Sequence, residues 1–100
     1  MKLIKVVKSD KPLKKWTAIF KKDDGKEKKT NFGYYNVKDL KNDYTLHMDK
    51  ERRERYRKRH EKDLKTNDPT RAGYLSYYLL WGDSTSLKKN IQDYKKKFNL

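Results

Sequence analysis

"KKWTAIFKKDDGK", residues 14–26, decides how this chain begins to fold. Trp16, Ala18 and Phe20 fall on one face of an extended strand, and Lys15, Thr17, Ile19 and Lys21 fall on the other. A period of two with one apolar face is the pattern of a half-buried strand. Asp23-Asp24-Gly25-Lys26 then signals a hairpin, because Gly25 supplies the positive φ that a tight turn requires. The chain must return as a strand over residues 27–32. Upstream, "KLIKVVK" (2–8) reads as a further strand, joined through Ser9-Asp10-Lys11-Pro12, where proline presets the turn. The first third is therefore predicted to be a three-stranded antiparallel meander.

Beyond it, "FGYYNVKDLKNDYTLH" (32–47) shows neither period and reads as a connection with one helical turn. From residue 49 the chain turns helical, with Asp49 and Glu51 at the positive end of the helix dipole. Glu51/Arg55, Glu54/Lys58, Arg57/Glu61 and Arg59/Asp63 stand at i,i+4 spacing with opposite sign. Tyr56, His60 and Leu64 form a narrow semi-apolar stripe. "TNDPTRAG" breaks the helix, since Pro69 disfavours helix at Asp68. "AGYLSYYLLWG" reads as a short apolar helix stopped by Gly82, and Asp83 or Ser84 can cap the last helix. In that helix Leu87, Ile91, Tyr94 and Phe98 form an amphipathic stripe, expected to pack on the apolar helix. The fold class is α+β: a small three-stranded meander followed by about three helices, in a single small basic domain over residues 1–100. No repeat, long linker or membrane-spanning run interrupts it.

Composition bounds the chemistry. Of 100 residues, 42% are charged and 33% hydrophobic, and 28 Lys+Arg against 14 Asp+Glu leave a net charge of +14. Such a balance leans toward disorder, but 13% aromatic residues oppose it. Trp16, Phe20, Phe32, Trp81, Tyr94 and Phe98 can build a small core, since each ring buries much area. The absence of cysteine excludes disulfides and cysteine-ligated zinc or iron–sulfur sites, and suits a reducing compartment. Leu79-Leu80-Trp81 is too short to cross a bilayer. Met1-Lys2-Leu3-Ile4 is not followed by a signal-peptide apolar region, so a soluble, non-secreted protein is expected. The surplus is +7 over residues 1–33, zero over 34–48, +4 over 49–65 and +3 over 66–100. A charge spread this way belongs to a binding surface rather than to a basic tail.

Five of the six arginines lie in "KERRERYRKRHEK" (50–62). On a helix Arg52, Arg55 and Arg59 share one side with Lys62, flanked by Arg53 and Lys58. Such a row can meet successive phosphates, and the guanidinium fork suits phosphate oxygens. The plainer alternative is a surface helix whose charges pair internally, but five acids cannot neutralise nine basic groups between residues 49 and 65. Lys88, Lys89, Lys95 and Lys96, on the polar side of the last helix, are candidates for the same role. Tyr56 and His60 are read as packing residues, and the sharper alternative is proton transfer by His60 among arginines. His47 and Asp49 could ligate a metal, but no zinc or paired-carboxylate spacing surrounds them. Tyr74, Tyr77, Tyr78 and Trp81 could stack bases and are read instead as core. No glycine-rich phosphate loop occurs. No catalytic residue, metal or cofactor is expected.

"DYTLHMDKERRERYRKRHEKD" (43–63) and "DPTRAGYLSYYLLWGD" (68–83), with "KKWTAIF", "NFG" (31–33) and "DYKKKFNL" (93–100), resemble a family of small basic proteins encoded by nucleocytoplasmic large DNA viruses of algae and amoebae. The chain departs from that pattern at "YYNVKDLKN" (34–42), where a shorter, glycine-containing turn is expected. The resemblance supplies no catalytic residues. It implies a viral setting, in the virion or the infected host cell. Charge and setting together point to a non-enzymatic, largely sequence-independent binder of the nucleic-acid phosphate backbone, with double-stranded DNA as the expected form. The alternatives are a structural virion protein that binds acidic protein partners and a small phosphodiester-cleaving enzyme. No membrane partner is expected.

Overall fold

The computed structural model describes residues 1–100. Strands β1 (Lys2–Lys8), β2 (Lys14–Lys21) and β3 (Glu27–Tyr34) form one sheet in that order, both pairs antiparallel. The register sets Leu3 opposite Phe20, Val6 opposite Ala18 and Phe32 opposite Trp16, which gathers the apolar side chains on one face. A register shift between Leu3 and Lys5 makes Ile4 the extra residue, and it is exposed. On the outer face Ile19 lies between Lys5 and Lys29 and is nonetheless only 9% exposed. Lysine stems lie over such a residue while their ammonium groups stay in water. The β2–β3 hairpin closes with the Lys22 N–H donating to the Lys26 carbonyl, and Gly25 takes φ +86° as the turn demands.

The chain then forms α1 (Tyr44–His47), α2 (Lys50–His60), a 3₁₀ stretch (Glu61–Thr66), α3 (Ala72–Leu75) and α4 (Leu87–Phe98). The expected α+β order holds, with the single helical turn in the 32–47 connection counting as a fourth helix. Two expectations need correction. The apolar helix is α-helical only through α3 and continues as a π-helical turn, Ser76–Leu80, in which the Trp81 N–H donates to the Ser76 carbonyl. The wider turn lets Leu79, Leu80 and Trp81 all reach the interior. The N-cap of α4 is Ser86, whose hydroxyl accepts from the Lys89 N–H, rather than Asp83 or Ser84. Gly82 does end the apolar segment, but through crowding: a Cβ there would lie 2.2 Å from the Tyr78 carbonyl oxygen.

Eleven buried residues make one core, drawn from the sheet (Leu3, Ala18, Phe20, Phe32), α1 (Tyr44), the 74–81 segment and α4 (Tyr94). Leu87, Ile91 and Phe98 pack against it half-buried, as the stripe predicts. Asn90, absent from the expected stripe, is 2% exposed. Its amide donates to the Leu79 and Ser84 carbonyls, and its carbonyl accepts from the Ser84 N–H. A buried amide is tolerated because these three bonds replace the ones it would make with water. The sheet is tied to the helical layer where Thr30 donates to the Thr70 carbonyl and Lys28 to the Thr70 hydroxyl.

Candidate nucleic-acid interface

The arginine helix has two unlike sides. Its start is fixed by Asp49, whose carboxylate accepts the Arg52 and Glu51 N–H groups. Those backbone bonds, Arg52's first, hold the Asp49 carboxyl below its usual range. Before it, His47 Nδ1 accepts the Asp49 N–H at 2.9 Å. Burial above all, with Arg52 nearby, holds His47 below its ordinary value. His47 and Asp49 thus meet through backbone, not as paired ligands, and no three His, Cys, Asp or Glu side chains come together to hold a metal.

On the inner side, Tyr56 stacks on Trp81 at 4.1 Å and 4°, and His60 covers its other face at 4.2 Å. His47 packs beside Trp81 at 5.1 Å. Burial pushes the Tyr56 hydroxyl up to about 12. Tyr56 and His60 are therefore packing residues, as read from the stripe, and Tyr74 and Trp81 belong to the core. His60 Nδ1 does lie 3.2 Å from Asp63.

Arg53 and Arg57 also face inward. Arg57 donates from Nε to the Trp81 carbonyl (2.8 Å) and from Nη2 to Asp83 (2.9 Å), which holds the Asp83 carboxyl low. Arg53, 14% exposed, donates to the Gly82 and Asp83 carbonyls and lies 4.6 Å over the Tyr44 ring. Both guanidinium groups clamp α2 onto the end of the π turn. Arg53, a candidate ligand from sequence, is thereby occupied inside the fold. None of the four i,i+4 pairs expected along the helix forms; Glu54 pairs with Arg53 and Arg57 instead.

The outer side is different. Arg55, Lys58 and Arg59 are exposed and make no ion pair or hydrogen bond with the rest of the chain; Lys62, expected in the same row, is equally exposed and unpaired but lies beyond α2 in the 3₁₀ stretch, where the α-helical spacing that placed it in the row no longer applies. Arg52, at the end of the row, pairs with Asp39 at 3.2 Å in a half-buried contact. An α-helix rises 1.5 Å per residue, so Arg55 and Arg59 stand about 6 Å apart along the axis. In α4, Lys88, Lys89, Lys95 and Lys96 are exposed as expected, with Lys89 3.9 Å from Asp93. No hydrogen bond or ion pair joins them to the α2 row. The cavity that does link the two helices, about 280 Å³, sets Arg57 and Lys97 against Asp83 and Asp93 and carries no surplus charge.

The sequence reading left out Lys8, Lys11 and Lys14, which bracket the β1–β2 turn and line a groove with Tyr35, Leu40 and Leu46. Three lysines at three-residue spacing around Pro12 were a visible signal, but the residues facing them come from a distant segment.

No helix is long and apolar enough to cross a membrane. No curated protein and no solved structure matches the chain. Residues 4–60, from β1 to the end of α2, match the model of a family of unknown function, DUF5754. The sheet from Ile4 onward, the connection and the arginine helix lie within that match, which covers more than half of the chain, and the protein belongs to this family.

Proposed function

We propose that this protein is a non-enzymatic, largely sequence-independent nucleic-acid binder that grips the phosphates of double-stranded DNA with the outer face of α2. The observation that carries the reading is the division of the helix. Arg53 and Arg57 hold it in place, while Arg55, Lys58 and Arg59 on its outer side, and Lys62 just beyond it, form no ion pair. Unpaired, positioned cations are what counterion release from a duplex rewards. Arg52 joins the row on contact, because a pair whose side chains stay 38% and 43% exposed, as Arg52–Asp39 does, contributes only about 1 kcal/mol and a phosphate can displace it. Lys88, Lys89, Lys95 and Lys96 add long-range attraction. The resemblance to proteins of large DNA viruses supplies the setting, a virion or infected cell in which a packed genome needs counter-charge.

The test is a filter-binding titration of a blunt duplex at several salt concentrations. Replacing Arg55, Arg59 and Lys62 together by Gln flattens the log–log salt slope by about 2 to 3 units, at about 0.9 per phosphate. The loss is the same for unrelated sequences, because phosphate contacts carry no base information. An unchanged slope refutes the interface. Plasmid incubated with Mg²⁺ stays intact; nicking that His60→Ala abolishes would restore the enzymatic alternative.

A further inference from the structure

A groove of about 580 Å³ lies between the β1–β2 turn and the segment from Tyr35 to Leu46, within the size range of ligand sites. Its two walls differ in character. The turn side carries Lys8, Lys11 and Lys14, all exposed. The facing side carries no cation and presents Tyr35, Leu40 and Leu46, which are 42%, 56% and 44% exposed. Lys15 also reaches the groove, but its ammonium is bound to the buried Asp43 carboxylate. Asp10 is then the one unpaired acid against three free cations. Trp16 borders the groove on the lysine side, half-buried against the core. The walls are fixed to each other where the Tyr35 N–H donates to the Leu13 carbonyl at 3.0 Å.

We propose that this groove binds single-stranded nucleic acid, with phosphates along Lys8, Lys11 and Lys14 and a base against Tyr35. The proposal rests on the reading above for the class of ligand and adds a separate site and strand state. A single strand segregates its chemistry as the groove does, charge along one edge and planar apolar faces along the other. A duplex keeps its base faces stacked inside and has nothing to offer Tyr35. An acidic peptide would satisfy the lysines but, unlike a base at every phosphate, its acidic side chains offer Tyr35 no planar face.

The experiment is fluorescence anisotropy with labelled oligo(dT) of about 12 nucleotides, within the site size of single-strand binders, beside the blunt duplex. Tyr35→Leu keeps apolar bulk and removes the ring. It weakens oligo(dT) binding at least about fivefold, the low end of one base–aromatic stack, and leaves duplex binding unchanged. Lys11→Gln with Lys14→Gln flattens the single-strand salt slope by about 1.4 units, at about 0.7 per phosphate. The α2 triple variant loses duplex affinity and retains oligo(dT). If wild type binds the duplex but not oligo(dT), or if Tyr35→Leu binds oligo(dT) as wild type does, the groove proposal is overturned and the α2 interface stands. If oligo(dT) binding needs Tyr35 while the duplex is not bound at all, the groove stands and the α2 interface falls. If polyglutamate binds in a Tyr35-dependent way and displaces oligo(dT), the groove is a protein-docking site and the proposal is overturned.

Discussion

Neighbouring arginines on α2 should respond oppositely to the same substitution, and Arg57→Gln beside Arg55→Gln shows why. Arg57 gives two hydrogen bonds that Arg55 lacks. The bond to the Trp81 carbonyl comes from a side chain only 21% exposed, and Trp81 itself is 7% exposed. A hydrogen bond from a charged donor contributes about 1.5–3 kcal/mol. The partner Asp83 is 89% exposed, so that contact adds only about 0–1 kcal/mol. Arg57→Gln therefore costs about 2–3 kcal/mol in total. In a domain of this size that lowers Tm by roughly 10 °C or more. Arg55→Gln touches no partner and should stay within about 0.5 kcal/mol of wild type. Urea unfolding followed by circular dichroism measures both, and the duplex titration gives the reverse order of effects on affinity. Equal stability losses for the two variants would refute the assignment of one arginine to the fold and the other to the ligand.

Tyr56→Ala removes the ring between Trp81 and His60 and should cost about 3 kcal/mol, read by thermal denaturation. Asn90→Leu leaves two carbonyls and one N–H unpaired near the π turn and should cost about 3 kcal/mol or more despite its better helix propensity; a stabilised variant would contradict the bonding described. Lys15→Met strands the buried Asp43 carboxylate and should cost about 3–5 kcal/mol, recovered in large part when Asp43→Asn is added. His47 is held below its ordinary 6.5 by burial, so the unfolded chain binds this proton more tightly than the folded one. Its contribution is complete above that value and is lost as pH falls through the window below it. Unfolding titrations from pH 7.5 to 5 should show the decline, and His47→Gln should flatten it.

Much of this molecule was legible because its patterns are local. The alternation in residues 14–20, the Asp-Gly turn and the proline-marked turn before it fix a meander with the right face inward. Strand pleat and glycine's freedom at Gly25 need no knowledge of the rest of the chain. The stripe of Leu87, Ile91, Tyr94 and Phe98 was equally readable, since a helix with one apolar face has one way to pack. Asn90 escaped because an amide reads as polar until the carbonyls it meets, eleven and six residues away, are in place.

The arginines mark the boundary. Composition and spacing alone establish that residues 49–65 carry more cations than their own acids can neutralise. Helical periodicity sorts those cations onto sides, but it cannot say which side meets the protein. That was decided by Trp81, a residue brought up by the π turn, whose ring takes Tyr56 and whose carbonyl takes Arg57. Once those contacts form, Arg53 and Arg57 become part of the fold, and Arg55, Arg59 and Lys62 are left facing water. The groove beside the β1–β2 turn belongs wholly to the tertiary level. Its lysines and Tyr35 lie some twenty to thirty residues apart in the chain. Only the closing of the connection over the sheet, through Lys15–Asp43 and Tyr35–Leu13, brings them face to face.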